Sequence, residues 1–167
     1  MVGPNEVRWL SPDENDAWMS LCWLMTKLPG AIDAQLQRDS GITFFEYVVL
    51  ASLSMSPGRR MTMTALAEFA NGSLSRLSNV AKRLEQRGLL VREPAPENGR
   101  ITEAMLTEAG MAVVEQAAPG HVENVRRCVF DALGADQVTQ LRDIGRQVAA
   151  QVEPGRSWPP GAERATL

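Results

Sequence analysis

The chain has 167 residues, room for one domain with flanking arms, and its 44% hydrophobic and 22% charged residues exclude a mostly disordered polymer. No uncharged stretch is longer than residues 47–58, too short to span a bilayer, so no membrane partner is expected. The net charge of −3 is unevenly spread. Residues 59–100 hold eight Lys/Arg against four Asp/Glu, net +4, while the other nine basic and sixteen acidic residues are net −7, which makes the middle of the chain a candidate anion-binding footprint.

In chain order, the first predicted helix begins at Ser11-Pro12-Asp13-Glu14, where Ser11 can cap, Pro12 suits the first helical position and Glu14 can return a bond to Ser11. Trp18, Leu21, Cys22, Met25, Leu28, Ile32 and Leu36 then recur at spacings of three and four, one apolar stripe. Pro29-Gly30 predicts a kink or break in it. Gly41-Ile42-Thr43 closes this helix and opens the next, with Thr43 and Glu46 as a second capping box. That helix carries Tyr47, Val48, Leu50, Ala51 and Leu53 and stops before Pro57-Gly58.

Thr62 caps a third, short helix through Ala65, Leu66 and Phe69, and Asn71-Gly72 signals a turn. A fourth helix is expected over 73–86, with Leu74, Leu77, Val80, Ala81 and Leu84 as its apolar face and Gly88 as its left-handed terminator. Residues 89–93 and 101–106 read as paired strands. The two prolines and the glycine between them predict a long projecting loop over 94–100 instead of a two-residue turn. Thr107 caps a further helix with the stripe Met111, Val114, Ala118, Val122, Val125 and Val129, divided or kinked at Pro119-Gly120. A last helix covers 136–152 with Val138, Leu141, Ile144 and Val148. The ends, 1–10 and 153–167, are expected to be loose.

A short helix, a glycine-bearing turn and a second helix make the helix-turn-helix plan. Opposite the leucines of the second helix stand Ser73, Ser75, Arg76, Ser78, Asn79, Lys82 and Arg83, with Glu85 as its one acid. Arginine can reach guanine bidentately, asparagine can read adenine, and small hydroxyls can approach bases or phosphates. Arg100 at the hairpin tip suits a phosphate or a narrow minor groove. Arg87 and Arg92 are open to either a DNA-facing or a purely structural reading.

Gly41-Ile42-Thr43 with Tyr47, Leu66-Ala67, the run Leu84-Glu85-Gln86-Arg87-Gly88-Leu89-Leu90, Asn98-Gly99-Arg100 and Leu106-Thr107-Glu108-Ala109-Gly110 together resemble the MarR (multiple antibiotic resistance regulator) family of winged-helix transcription factors. The resemblance implies a mostly α (α+β) fold: a winged helix-turn-helix lobe over 41–107, with dimerisation helices over 11–40 and 108–152. It implies a homodimer whose first and last helices interlock, a recognition helix over 73–87 in the major groove of double-stranded DNA, and a wing over 94–100 near the minor groove. It further implies a sequence-specific regulator of repressor type, bound to a pseudo-palindromic operator and released by a small aromatic effector. One position departs from the family pattern: Asn98 stands where an aspartate usually fixes the wing arginine, and a neutral amide holds it less firmly.

Trp18, Cys22 and Tyr47 are the candidate lining of an effector pocket, and plain core or dimer packing is their alternative reading. Peroxide-sensing members of the family carry a reactive cysteine early in the first helix. Cys22 falls about one turn from that position among apolar neighbours, which quiet a thiol, and Cys128 reads as packing. The two cysteines lie far apart without CxxC spacing, and no basic-then-apolar start precedes them; free thiols in a reducing cytoplasm are expected. The lone His121 has no second ligand beside it, so no metal or other cofactor is expected. No nucleophile–base pair or paired carboxylates stand out, so no catalytic residue and no enzyme activity is expected. Two alternatives stay open at this point: a winged-helix module that grips protein instead of DNA, and a cysteine-based redox sensor of the same family.

Overall fold

The computed structural model describes residues 7–154. Helix α1, Pro12–Ser40, starts on the Ser11–Glu14 capping box, with both reciprocal bonds formed, and ends at Gly41 in the left-handed conformation, φ 64°. Helix α2, Phe44–Met55, starts on the equivalent box of Thr43 and Glu46. A single tight turn, Pro57–Arg59, leads into strand β1, Arg60–Thr62. Helix α3, Met63–Phe69, is capped by Thr62, and helix α4, Leu74–Gln86, by Ser73. Strands β2, Leu90–Ala95, and β3, Asn98–Leu106, form a hairpin. Helix α5, Glu108–Cys128, is capped by Thr107, and helix α6, Ala135–Val152, closes the described chain.

The sheet is antiparallel in the order β1-β3-β2, so β3 is central. Strand β1 is absent from the sequence expectation. Three residues carry no periodicity, and its pairing of Arg60 with Met105 and Thr62 with Glu103 is made across more than forty residues of chain. The hairpin loop also differs from expectation, being the two residues Pro96 and Glu97 between longer strands. Pro94 is accommodated because β2 is an edge strand, where a missing N–H need not break a ladder, and the register shifts between Pro94 and Ala95.

Neither internal proline interrupts its helix. Pro29 and Gly30 are exposed in α1, so the carbonyl that loses its partner is not sealed in a core. Pro119 is likewise exposed in α5, and the neighbouring Gly120 lets α1 come close: a Cβ there would stand 3.2 Å from Gln35 Nε2.

Two apolar clusters hold the chain together. The larger joins Val49, Leu50 and Leu53 of α2, Leu66 of α3, Leu77, Val80 and Leu84 of α4, Leu90 and Leu106 at the base of the hairpin, and Val114 of α5. Each fully buried leucine in it contributes about 1.5–3 kcal/mol. The smaller joins Ile32 and Leu36 of α1 to Ile42 and Ala117. The α1 stripe is therefore covered only at its C-terminal end. Trp18, Leu21 and Met25 stay exposed, as do Leu141, Ile144 and Val148 of α6, a helix that buries no residue. Cys22 is half-buried, while Cys128, expected in packing, is exposed. No helix among the described residues is long and apolar enough to cross a membrane. Of the expected loose ends, 1–6 and 155–167 lie outside the described residues.

Candidate nucleic-acid interface

The turn between α3 and α4 is tight because Asn71 adopts a left-handed conformation, φ 48°, which asparagine tolerates, and the Gly72 N–H donates to the Ala67 carbonyl at 2.9 Å. Ser73 then spends one lone pair as a cap, accepting from the Arg76 N–H at 3.2 Å. Its hydroxyl lies 3.1 Å from that of Ser75.

Leu77, Val80, Ala81 and Leu84 seat α4 on the core. At 100° per residue, the direction opposite them is occupied by Ser75, Asn79, Lys82 and Gln86, all exposed. Gln86 was missed in the sequence, where it reads as the end of the helix. Leu74, expected on the apolar face, is 52% exposed. It precedes Leu77, the first residue of α4 to enter the larger core. Ser78 is half-buried on one flank. Arg76 and Arg83 stand on the other flank, beside α2. The Arg76 guanidinium lies over the Phe45 ring, 4.1 Å from its centroid, and Arg83 Nη2 approaches Glu46 Oε1 at 3.6 Å. The outward face thus offers hydroxyls, amides and cations and no carboxylate.

Arg92 is not part of this face. Its backbone N–H, Nε and Nη2 all donate to the Glu85 carboxylate, at 3.0, 3.1 and 2.6 Å, which ties the end of α4 to the base of the wing. These bonds hold the Glu85 carboxyl below its ordinary range. A depressed carboxyl contributes stability that is present above its unfolded value and lost as pH falls through its folded one. Glu85→Gln should therefore lower the melting temperature by a few degrees at pH 7, about 1 kcal/mol or less for a pair this exposed. The deficit should vanish as pH falls below about 4. A deficit that is unchanged at pH 3 would rule out the ion pair as its source.

Arg100 is exposed on β3 just past the wing turn. Asn98 in place of aspartate acts on the backbone, its Oδ1 accepting from the Arg100 N–H at 3.1 Å. Arg87 caps α4 and is exposed.

A cleft of about 920 Å³ opens between α1, α2 and α4, with Asp33, Phe44, Phe45, Arg76, Asn79 and Arg83 among its lining. Trp18, Cys22 and Tyr47 are not in that lining, and the chain does not gather them. Tyr47 packs on His121, ring centroids 4.6 Å apart, near Ile32. Cys22 lies ten residues earlier on α1, about 15 Å along the helix axis. Burial pulls the His121 imidazole below its ordinary value and pushes the Tyr47 phenol above its own. Among the described residues no group of three His, Cys, Asp or Glu side chains could hold a metal ion.

Comparison with known proteins meets this geometry at the same residues. A sequence model of the MarR family matches residues 40–101. The chain is 41% identical to Sco3205, a MarR family transcriptional regulator from Streptomyces coelicolor solved in complex with DNA; the match covers 88% of this chain and 96% of that one, with a TM-score of 0.83. It is 34% identical to AbsC, another MarR family transcriptional regulator of S. coelicolor, over 87% and 98% of the two chains, TM-score 0.81. It is also 34% identical over 77 residues to the HTH-type transcriptional repressor Rv2887 of Mycobacterium tuberculosis, 46% of this chain and 54% of that protein. The chain thus spans about half the length of the curated relatives it matches.

Proposed function

This chain belongs to the MarR family of transcriptional regulators, not to an enzyme family, and from that premise we propose that it binds a pseudo-palindromic operator as a homodimer and represses transcription. The observation that carries the reading is the outward face of α4. Ser75, Asn79, Lys82 and Gln86, flanked by Arg76 and Arg83, offer donors and acceptors to base edges and positive charge to phosphates. The DNA-bound state of Sco3205 and the repressor name of the mycobacterial relatives support it.

In this reading residues 41–107 form the DNA-binding lobe. The segments 11–40 and 108–152 form the dimer, whose surface is the apolar face of α1 and α6 that the protomer leaves open. DNA contact falls to Ser73, Ser75, Arg76, Ser78, Asn79, Lys82 and Arg83 on the helix and to Arg100 on the wing. The protein acts in the cytoplasm. A small aromatic effector would release DNA by changing the spacing of the two lobes, with Trp18, Cys22 and Tyr47 as candidate contacts completed by the second protomer.

Two alanine variants test the division of labour. Arg76 stands in the first turns of α4, the part of a recognition helix that meets base edges. Arg76→Ala should cost about 1–3 kcal/mol on the preferred operator and much less on scrambled duplex. Arg100→Ala should weaken both duplexes alike and reduce the slope of log affinity against log salt by about one unit. Affinities for both duplexes at several salt concentrations decide it. If Arg76→Ala weakens both equally while Arg100→Ala erases sequence preference, the roles are reversed.

A further inference from the structure

We propose that Phe45, on the first turn of α2, is a positioning residue for DNA reading: its ring is a platform that holds the Arg76 guanidinium in place before DNA arrives. The inference rests on the reading of α4 as the DNA-contacting helix and names a residue outside that helix on which its selectivity depends.

Three observations converge on the ring. The Arg76 guanidinium carbon lies 4.1 Å from the ring centroid, within the range where a cation is drawn to an aromatic face. The turn that precedes α4 closes on the outer edge of the ring: a Cβ on Gly72 would stand 2.8 Å from Phe45 Cζ and 3.0 Å from Cε2, and 4.0 Å from Arg76 Cδ. Gly72 has no left-handed φ, so the space it leaves for the ring is the physical role its missing side chain plays here. The body of Phe45 also packs against the larger core, which fixes the platform to the lobe. Among the described residues no carboxylate pairs with Arg76, and the ring is what orients it.

The next residue extends the arrangement. Glu46 is buried, its carboxylate accepting from the Thr43 N–H and hydroxyl at 2.9 and 3.0 Å, and it faces Arg83. Arg76 and Arg83 are seven residues apart, two turns on one side of α4. The first turn of α2 therefore addresses both arginines, an aromatic face to the first and a carboxylate to the second. Arginine has a large rotamer entropy to lose on binding. A guanidinium already held over a ring loses less of it when it engages a base, and that saving falls on the specific complex.

The test is a cycle on the full-length protein, with the duplex that wild type enriches from a random pool and a scrambled duplex of equal composition. Phe45→Leu removes the ring while keeping apolar bulk, and Gly72→Ala displaces the ring at its Cζ–Cε2 edge. Either variant suffices for the cycle, so a failure of one to fold, read by its melting curve, leaves the other. Each should lower the operator-to-scrambled affinity ratio about two- to fivefold, the size of a solvent-exposed cation–π contact. Neither should change that ratio further in an Arg76→Ala background, because the effect passes through Arg76. Equal losses in both backgrounds, or no loss in either, would overturn the platform. A wild type that enriches no duplex would instead overturn the DNA reading, and this inference with it.

Discussion

Gly110→Ala should destabilise the protein by about 3 kcal/mol, although alanine is the better helix former by about 1 kcal/mol. The first turn of α5 crosses the backbone that follows α4 without clearance. A Cβ on Gly110 would stand 2.0 Å from the Leu89 carbonyl oxygen and 2.6 Å from Leu106 Cδ1. The crossing is pinned by Thr107, whose hydroxyl donates to the Gly88 carbonyl at 2.7 Å while accepting from the Gly110 N–H at 3.0 Å. Relief would require α5 to lift from Leu89 and Leu106, both in the core of the lobe. For a chain of this length the loss corresponds to a melting temperature lower by roughly 6–12 °C. Gly30→Ala is the contrasting case. Nothing lies within 4 Å of its Cβ position, and it should be neutral or stabilising by up to about 1 kcal/mol. Urea unfolding at one fixed protein concentration reads both, and a Gly110→Ala variant as stable as wild type would contradict the crossing.

The second large effect is on assembly. Leu141 and Ile144 are 45% and 58% exposed on a helix that buries nothing in its own protomer, and an amphipathic helix is held chiefly by the surface its apolar face covers. Replacing both by aspartate should convert a dimer at micromolar concentration into a monomer in sedimentation. The lobe core contains no α6 residue, so it should stay folded. Affinity for a full operator should fall about 10²–10⁴-fold, since the second half-site contact is no longer intramolecular. Affinity for a single half-site should be unchanged. A variant that remains dimeric would show that α6 is not the dimer surface.

What was legible in the sequence is what is decided locally. The caps at Ser11, Thr43, Thr62 and Thr107, the helix end at Gly41 and the left-handed Gly88 act within a few residues of chain, and each is present. The polar side of α4 could be read from helical period alone, apart from Leu74 and Gln86 at its ends, where period says least about tertiary surroundings. The errors lie where distant chain decides. Strand β1 exists through its partner β3, and the prolines of the wing are tolerated by an edge position visible only in the assembled sheet. The platform under Arg76 joins residues 45, 72 and 76 from three segments, and no spacing rule in the sequence connects them.

The central claim is that two copies of α4 read DNA sequence from a symmetric dimer. Selection of bound fragments from a random duplex pool, using the intact protein, tests it most directly. The account predicts an enriched pseudo-palindrome whose half-sites are spaced for successive major grooves, about 10 base pairs between centres. Recovery of a non-palindromic sequence, or of no enriched sequence at all, would contradict it.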